Sequence, residues 1–182
     1  LVKPPGVDKI AFTGSTAAGR IIARNCGERL IPVTLELGGK SAAIVLDDAD
    51  IDVTLAGLRG NSFMNSGQTC FLLSRVLVPR SRRDEVVDGL VDVARSFRLG
   101  DPRDASTELG PLVSDRIRSR VRGLVDGARA RGAQVLTGGR DLPGESGYFY
   151  EPTILAGVSP EDEIAQEEVF GPVVTVMEYQ DR

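Results

Sequence analysis

The sequence predicts an α/β protein with mainly parallel strands. Three observations carry this. Short runs rich in Val, Ile, Leu and Ala alternate with longer stretches of helical period. Gly and Pro, 21 and 10 of them, are scattered at the joints rather than clustered in tandem. At 182 residues, 41% hydrophobic and 26% charged, the chain has the size and balance of a globular protein.

Residues 9–12 read as a short buried strand. Thr13-Gly14-Ser15-Thr16 follows as a turn with helix N-cap chemistry, and residues 17–24 continue as a helix, with Cys26-Gly27 as its stop. Residues 32–37 read as a second strand ending at Gly38-Gly39, and residues 41–46 as a third. Residues 47–52 are an acidic helix start, favoured by the macrodipole, for a helix reaching Met64. Residues 75–78 form a strand closed by Pro79. Residues 80–97 place Val86, Val87, Leu90, Val91, Ala94 and Phe97 at helical spacing. Residues 99–113 are a loop with Gly100-Asp101-Pro102 and Gly110-Pro111. A second amphipathic helix spans residues 115–131. Residues 134–137 and 149–154 look extended, and a β-branched strand, 173–176, follows Gly171-Pro172. No internal repeat or low-complexity tract is visible.

Composition narrows the chemistry. The chain has no histidine, which excludes a Ser-His-Asp triad, a Cys-His pair and any His-ligated metal within it; no metal site is expected. It has no Trp and 5% aromatic residues, so a base-stacking platform is not expected. Its net charge of −4 disfavours a general nucleic-acid binder, and the local group Arg80, Arg82 and Arg83 reads as a solvated helix start. No apolar run approaches the ~18 residues of a membrane helix, and residues 1–25 lack a signal-peptide pattern. Two cysteines, Cys26 and Cys70, allow one disulfide but no disulfide framework.

Four segments have residue types suited to chemistry. In Phe12-Thr13-Gly14-Ser15-Thr16-Ala17-Ala18-Gly19, a turn between strand and helix points N–H groups and a hydroxyl at an anion; the bland alternative is a capped helix. It is neither G-x-G-x-x-G nor a P-loop. Gly19 lets the helix pack close to a strand or a ligand. In Leu35-Glu36-Leu37-Gly38-Gly39-Lys40, Glu36 shares a strand face with Thr34. It is either solvent-facing or, if desolvated, a general base. Lys40 reads as a surface cation or as the partner of an acid. In Asn65-Ser66-Gly67-Gln68-Thr69-Cys70, the thiol follows a Gly turn and is either a nucleophile or a buried structural Cys. Cys26, at a helix end, reads as structural. In Gln166-Glu167-Glu168-Val169-Phe170-Gly171-Pro172-Val173, two acids precede an aromatic and a Gly-Pro turn: a clamp for hydroxyls, or a polar loop.

Taken in order, Phe-Thr-Gly-Ser-Thr, Glu-Leu-Gly-Gly-Lys, Gly-Gln-x-Cys and Glu-Glu-x-Phe-Gly-Pro-Val resemble the aldehyde dehydrogenase superfamily from Lys9 to Met177, and the separation of Glu36 from Cys70 fits its pattern. The resemblance implies a three-layer α/β catalytic domain over residues 39–182, incomplete at its C-terminus, preceded in 1–38 by the last part of a Rossmann-like NAD(P)-binding domain. It implies oxidation of a small-molecule aldehyde to a carboxylic acid with NAD or NADP, through a thiohemiacetal and a thioester on Cys70. Glu36 then activates the hydrolytic water, and the missing histidine is expected. Gly14, Ser15 and Gly19 would face the pyrophosphate, Leu37 and Gly38 the nicotinamide, and Glu168 and Phe170 the nicotinamide ribose. Glu36 favours free acid over acyl-CoA as product.

The same resemblance implies a longer, cytoplasmic, homo-oligomeric protein, a dimer or tetramer, binding neither nucleic acid nor membrane. The groups for adenine ribose, an upstream oxyanion-hole Asn and part of the substrate tunnel would lie outside these residues. Activity is expected of that longer protein rather than of these 182 residues alone. Two alternatives stand beside this: a non-catalytic structural or interaction module of the same fold, and a CoA-acylating relative.

Overall fold

The computed structural model describes residues 2–142 and 147–180. The chain divides into two compact units, Leu1–Gly39 and Lys40–Arg182.

The smaller unit is a strand–helix–strand segment. β1 (Ile10–Gly14) and β2 (Val33–Leu37) pair in parallel, Ile10 opposite Val33 and Gly14 opposite Leu37. Alternation sets the faces: Val33, Leu35 and Leu37 are half-buried, whereas Thr34 and Glu36 are exposed. Between the strands runs α1 (Thr16–Arg29). It begins where Ser15, in an extended conformation, accepts a hydrogen bond from Ala18 N, and ends at Leu30 in the left-handed region. The helix runs about a turn beyond the expected Cys26-Gly27 stop. Gly27, with nothing within 4 Å of where its Cβ would be, stays helical, and Leu30 makes the cap. Arg29 ties down the N-terminal segment by donating to the carbonyls of Val2 and Val7.

The larger unit is a five-stranded sheet, among the described residues, in the order β3-β4-β7-β6-β5. Its strands are β3 (Ser41–Ile44), β4 (Leu73–Pro79), β5 (Gln134–Thr137), β6 (Thr153–Ala156) and β7 (Val173–Tyr179). The central strand β7 is buried from Val173 to Met177, the near-continuous apolar run of a strand covered on both faces. Alternation divides its residues between two cores. Val174 and Val176 pack with Val76, Val78 and Ile154 against α2 (Ile51–Phe63) and α3 (Arg83–Ser96), through Leu58, Phe63, Val86 and Leu90. Val173 and Met177 pack with Leu155 against α4 (Asp115–Ala130) and the short α5 (Glu163–Gln166), through Val121, Val125 and Ile164. The result is helix, sheet, helix, as expected.

One pairing departs from the parallel expectation: β5 and β6 are antiparallel. Parallel neighbours need a crossover, usually a helix, and none of the described residues between Thr137 and Thr153 is helical. Residues 149–152, expected to be extended, lie outside the sheet strands, with one isolated bridge between Asp141 and Tyr150. The Arg80–Arg83 group is a helix start whose charges are matched. Arg80 and Arg83 pair with Glu178, and Arg82 with Glu85. Arg82 also donates to the carbonyls of Asp47 and Ala49. Cys26 and Cys70 are both free thiols, Cys26 buried as its structural reading requires.

Candidate active site

In the smaller unit, five of the sequence-predicted positions converge at the C-terminal ends of the paired strands. Gly14 ends β1 opposite Leu37, and Thr13 lies opposite Glu36. Gly38 continues from Leu37. Ligands of α/β proteins bind outside the carboxyl ends of strands, and here that edge carries both a helix N-terminus and a carboxylate. Gly14, Ser15, Thr16 and Ala17 are exposed, and the first turn of α1 contains no acidic residue, so the positive end of the helix dipole is uncompensated. This donor set fits a phosphate. At Gly14 the missing Cβ leaves room for its neighbour: it would come 2.5 Å from Cζ of the Phe12 ring, which would have to turn aside. Gly19 is buried, and its missing Cβ would lie 2.6 Å from Leu37 Cδ2. Of the two partners open to it, strand or ligand, Gly19 therefore meets the strand. Glu36 is exposed, its side chain on the face of Thr34.

In the larger unit the Cys70 loop is unusual backbone. Asn65, Ser66 and Gly67 all have positive φ, at 52°, 55° and 76°. A left-handed conformation costs roughly 1–2 kcal/mol at each non-Gly residue, so external contacts must hold the loop. Ser66 is buried and its hydroxyl donates to Gly110 O at 2.8 Å. Gly67 lies against the backbone of the fourth motif: a Cβ would come 2.0 Å from Gly171 O and 2.6 Å from Pro172 N. Gln68 Nε2 donates to Asn65 O at 3.1 Å, while its Oε1 accepts from Val113 N at 2.9 Å. Asn65 Nδ2 closes the turn on Gln68 O. Beyond these, Cys70 lies in an exposed turn ahead of β4.

The Gly67–Gly171 contact joins the third and fourth motifs. Glu168 and Phe170 are half-buried, Phe170 with a positive φ of 59°. Arg120, on α4, donates to Glu168 O at 2.9 Å and pairs with Glu167 at 3.5 Å, and Val121 of the same helix fills the space beside Gly171. Glu168 thus reaches its place through backbone contacts, with its carboxylate an acceptor suited to a sugar hydroxyl. Sequence reasoning missed Ser66, Val113 and Arg120, whose roles depend on contacts far along the chain. Ser66 and Gln68 lie inside the segment ending at Cys70, and that position is their one signal.

Lys40 opens the larger unit. It is half-buried as a residue, but its Nζ is fully enclosed and has no hydrogen-bond partner among the described residues. Burial, with a lesser push from the Arg75 charge, lowers its pKa to about 8. Neither expected role, surface cation or partner of an acid, describes it.

The model of the aldehyde dehydrogenase family matches residues 1–182. The chain belongs to the aldehyde dehydrogenase family. It is 47% identical over 180 residues to the geranial dehydrogenase of Castellaniella defragrans, covering 99% of this chain and 37% of that protein. It is 43% identical over 176 residues to the betaine aldehyde dehydrogenase of Brucella anthropi, covering 95% and 36%. Among solved structures, the NAD+ complex of the Bacillus cereus aldehyde dehydrogenase superposes with a TM-score of 0.96 at 42% identity, covering 99% of this chain and 36% of that one. The Mycobacterium tuberculosis aldehyde dehydrogenase complexed with NAD+ gives 0.96 at 40%, covering 99% and 38%. This family member thus spans a little over a third of the length of the relatives it matches.

Proposed function

We propose that the protein containing this chain oxidises an aldehyde to the free carboxylic acid with NAD or NADP, and that Cys70 is its nucleophile. Residues 1–38 serve as the end of its cofactor-binding domain and 39–182 as the bulk of its catalytic domain. The observation that carries this is the Cys70 loop: an exposed thiol beyond three consecutive left-handed residues, pinned at Gly67 to the Gly171-Pro172 backbone. Such strain is retained where a geometry must be fixed. The relatives' dehydrogenase names and NAD+ complexes support the same reading.

The Cys70 thiolate adds to the aldehyde carbon, and the oxygen takes up the negative charge, stabilised by N–H donors including that of Cys70. That carbon then loses a hydride, for which bound NAD or NADP would be the acceptor. A thioester on Cys70 remains. Glu36 takes a proton from water, the hydroxyl adds to the thioester carbon, the C–S bond breaks, and carboxylate and thiol are released. The start of α1, with Gly14 and Ser15, would hold the pyrophosphate, and Gly19 closes the helix onto Leu37. Leu37 and Gly38 would flank the nicotinamide, and Glu168, with Phe170 alongside, would accept from its ribose hydroxyls. Assembly as a dimer or tetramer in the cytoplasm belongs to the same reading and is checked by light scattering and fractionation.

The test assays the protein with geranial and betaine aldehyde, each with NAD+ and with NADP+, beside Cys70→Ala and Glu36→Gln. Cys70→Ala is expected to abolish turnover. Glu36→Gln is expected to leave a burst of reduced cofactor and block steady-state hydrolysis. Full activity in Cys70→Ala overturns the assignment, and an acyl-CoA product would replace hydrolysis by thiol transfer.

A further inference from the structure

We infer that Gln68 is a positioning residue for the Cys70 thiol, acting as a two-ended clamp between the strained loop and the start of α4; this rests on Cys70 being the nucleophile. Both ends of its carboxamide are engaged. Nε2 donates to Asn65 O, which also receives Gln68 N, and Oε1 accepts from Val113 N. The first contact closes the left-handed turn on itself. The second leads to a rigid body. Val113 is followed by Ser114, whose hydroxyl caps α4 at Ile117 N, and that helix is buried through Val121, Leu124 and Val125. Cys70 is two residues beyond the clamp.

The clamp is specific to an amide. It needs a donor at one end and an acceptor at the other, from one planar group. An ionised Glu can accept from Val113 N but would set a carboxylate oxygen against the Asn65 carbonyl. A protonated Glu restores the donor. Met has the length and neither function. Because an attacking group displaced by about 1 Å can cost about a hundredfold in rate, loosening this clamp acts on chemistry more than on binding.

The experiment compares Gln68→Met and Gln68→Glu with the wild-type protein. Three quantities are read: kcat, the KM for NAD+, and the rate of Cys70 alkylation by iodoacetamide, each taken as a ratio to wild type between pH 7.5 and 5. Gln68→Met is expected to lower kcat roughly ten- to a hundredfold and to change the alkylation rate, with KM for NAD+ within about twofold. Its ratios stay flat with pH. Gln68→Glu is expected to match it at pH 7.5 and to recover toward wild type as its carboxyl is protonated. The inference is overturned if Gln68→Met stays within twofold of wild type in both kcat and alkylation. It also fails if Gln68→Glu tracks Gln68→Met at every pH, or if KM for NAD+ rises as steeply as kcat falls, the mark of general loosening. Cys70→Ala separates the two levels. An active Cys70→Ala removes the underlying assignment, whereas an inactive one beside an unaffected Gln68→Met removes only the clamp.

Discussion

The turn at Thr13–Thr16 and the loop at Met64–Leu72 both deliver a functional group from the end of a regular element, yet they are held in opposite ways. The turn is locally determined. A strand ends, Ser15 caps the next helix at Ala18, and Gly14 leaves room for the Phe12 ring two residues back. The Cys70 loop is determined from afar. Ser66, Gly67 and Gln68 are held by Gly110, Gly171 and Val113, which lie 44 residues or more along the chain from their partners. A locally fixed site can keep its shape when the rest of the unit is disturbed. A remotely fixed one reports on the packing of the whole unit, because α4 and the end that leads into β7 must be in place before Cys70 is.

The sharpest way to break this contrast is Gly67→Ala. The substitution meets two penalties together: a positive φ that an L-residue resists, and a Cβ placed inside the Gly171 carbonyl. The obstacle is backbone, so no side chain can swing aside. The expected loss is roughly 3 kcal/mol or more, read as a fall in Tm of many degrees together with a changed rate of Cys70 alkylation. A variant with wild-type Tm and wild-type thiol reactivity would show the loop to be free of its remote support.

The Lys40 ammonium has no hydrogen-bond partner, local or remote, among the described residues, which gives a prediction of opposite sign. Its pKa is lowered to about 8 from an ordinary 10.5. Between those values the unfolded chain binds more protons than the folded one, so stability rises with pH across that window. Below about pH 8 the full cost of burying the ammonium applies, at most about 3 kcal/mol. Lys40→Met should therefore be more stable than wild type at pH 7, with the advantage shrinking from pH 8 upward and gone above 10.5. Parallel stability–pH curves for the two proteins, followed by denaturant titration, would sink this reading.

The same division governs what the sequence discloses. Alternating Val33, Leu35 and Leu37 against Thr34 and Glu36 places the carboxylate on the face of Thr34 without any knowledge of the fold, because strand period is local; that this face is exposed is what the structure adds. Ser15 as N-cap is equally visible. The antiparallel β5 is not, since strand direction depends on whether a helix intervenes before β6. Nor is the burial of Lys40, which depends on what surrounds Nζ rather than on its neighbours in sequence. The Gly-Gln-x-Cys motif marks a place, but the reason for its glycine lies at Gly171 and the reason for its glutamine at Val113.

At the turn, effects should be smaller and separable. Ser15→Ala removes one cap and is expected to cost about 1 kcal/mol. Ser15→Asp keeps the cap and adds a negative charge at the helix N-terminus, so the fold is unharmed or slightly firmer. That same charge repels a phosphate. Calorimetric titration with NAD+ should show affinity reduced roughly tenfold in Ser15→Asp at undiminished Tm, a difference of about 1.4 kcal/mol in binding alone. Unchanged affinity would remove the anion site from the start of α1.

The smallest effect is expected at Gly19, and its size tests why Gly67 is different. A Cβ at Gly19 also falls too close to a neighbour, 2.6 Å from Leu37 Cδ2. Here the obstacle is the end of a flexible side chain that is only half-buried, so Leu37 can rotate away. Alanine also gains about 1 kcal/mol of helix propensity over glycine in the interior of α1. The two terms oppose each other, and Gly19→Ala should change stability by less than about 1 kcal/mol in either direction. The displaced Leu37 is one of the residues assigned beside the nicotinamide, so the cost should appear as weaker NAD+ binding rather than a lower Tm. If Gly19→Ala instead unfolds the protein as Gly67→Ala does, a close approach to a side chain would be as unyielding as one to backbone, and the distinction between the two regions would collapse.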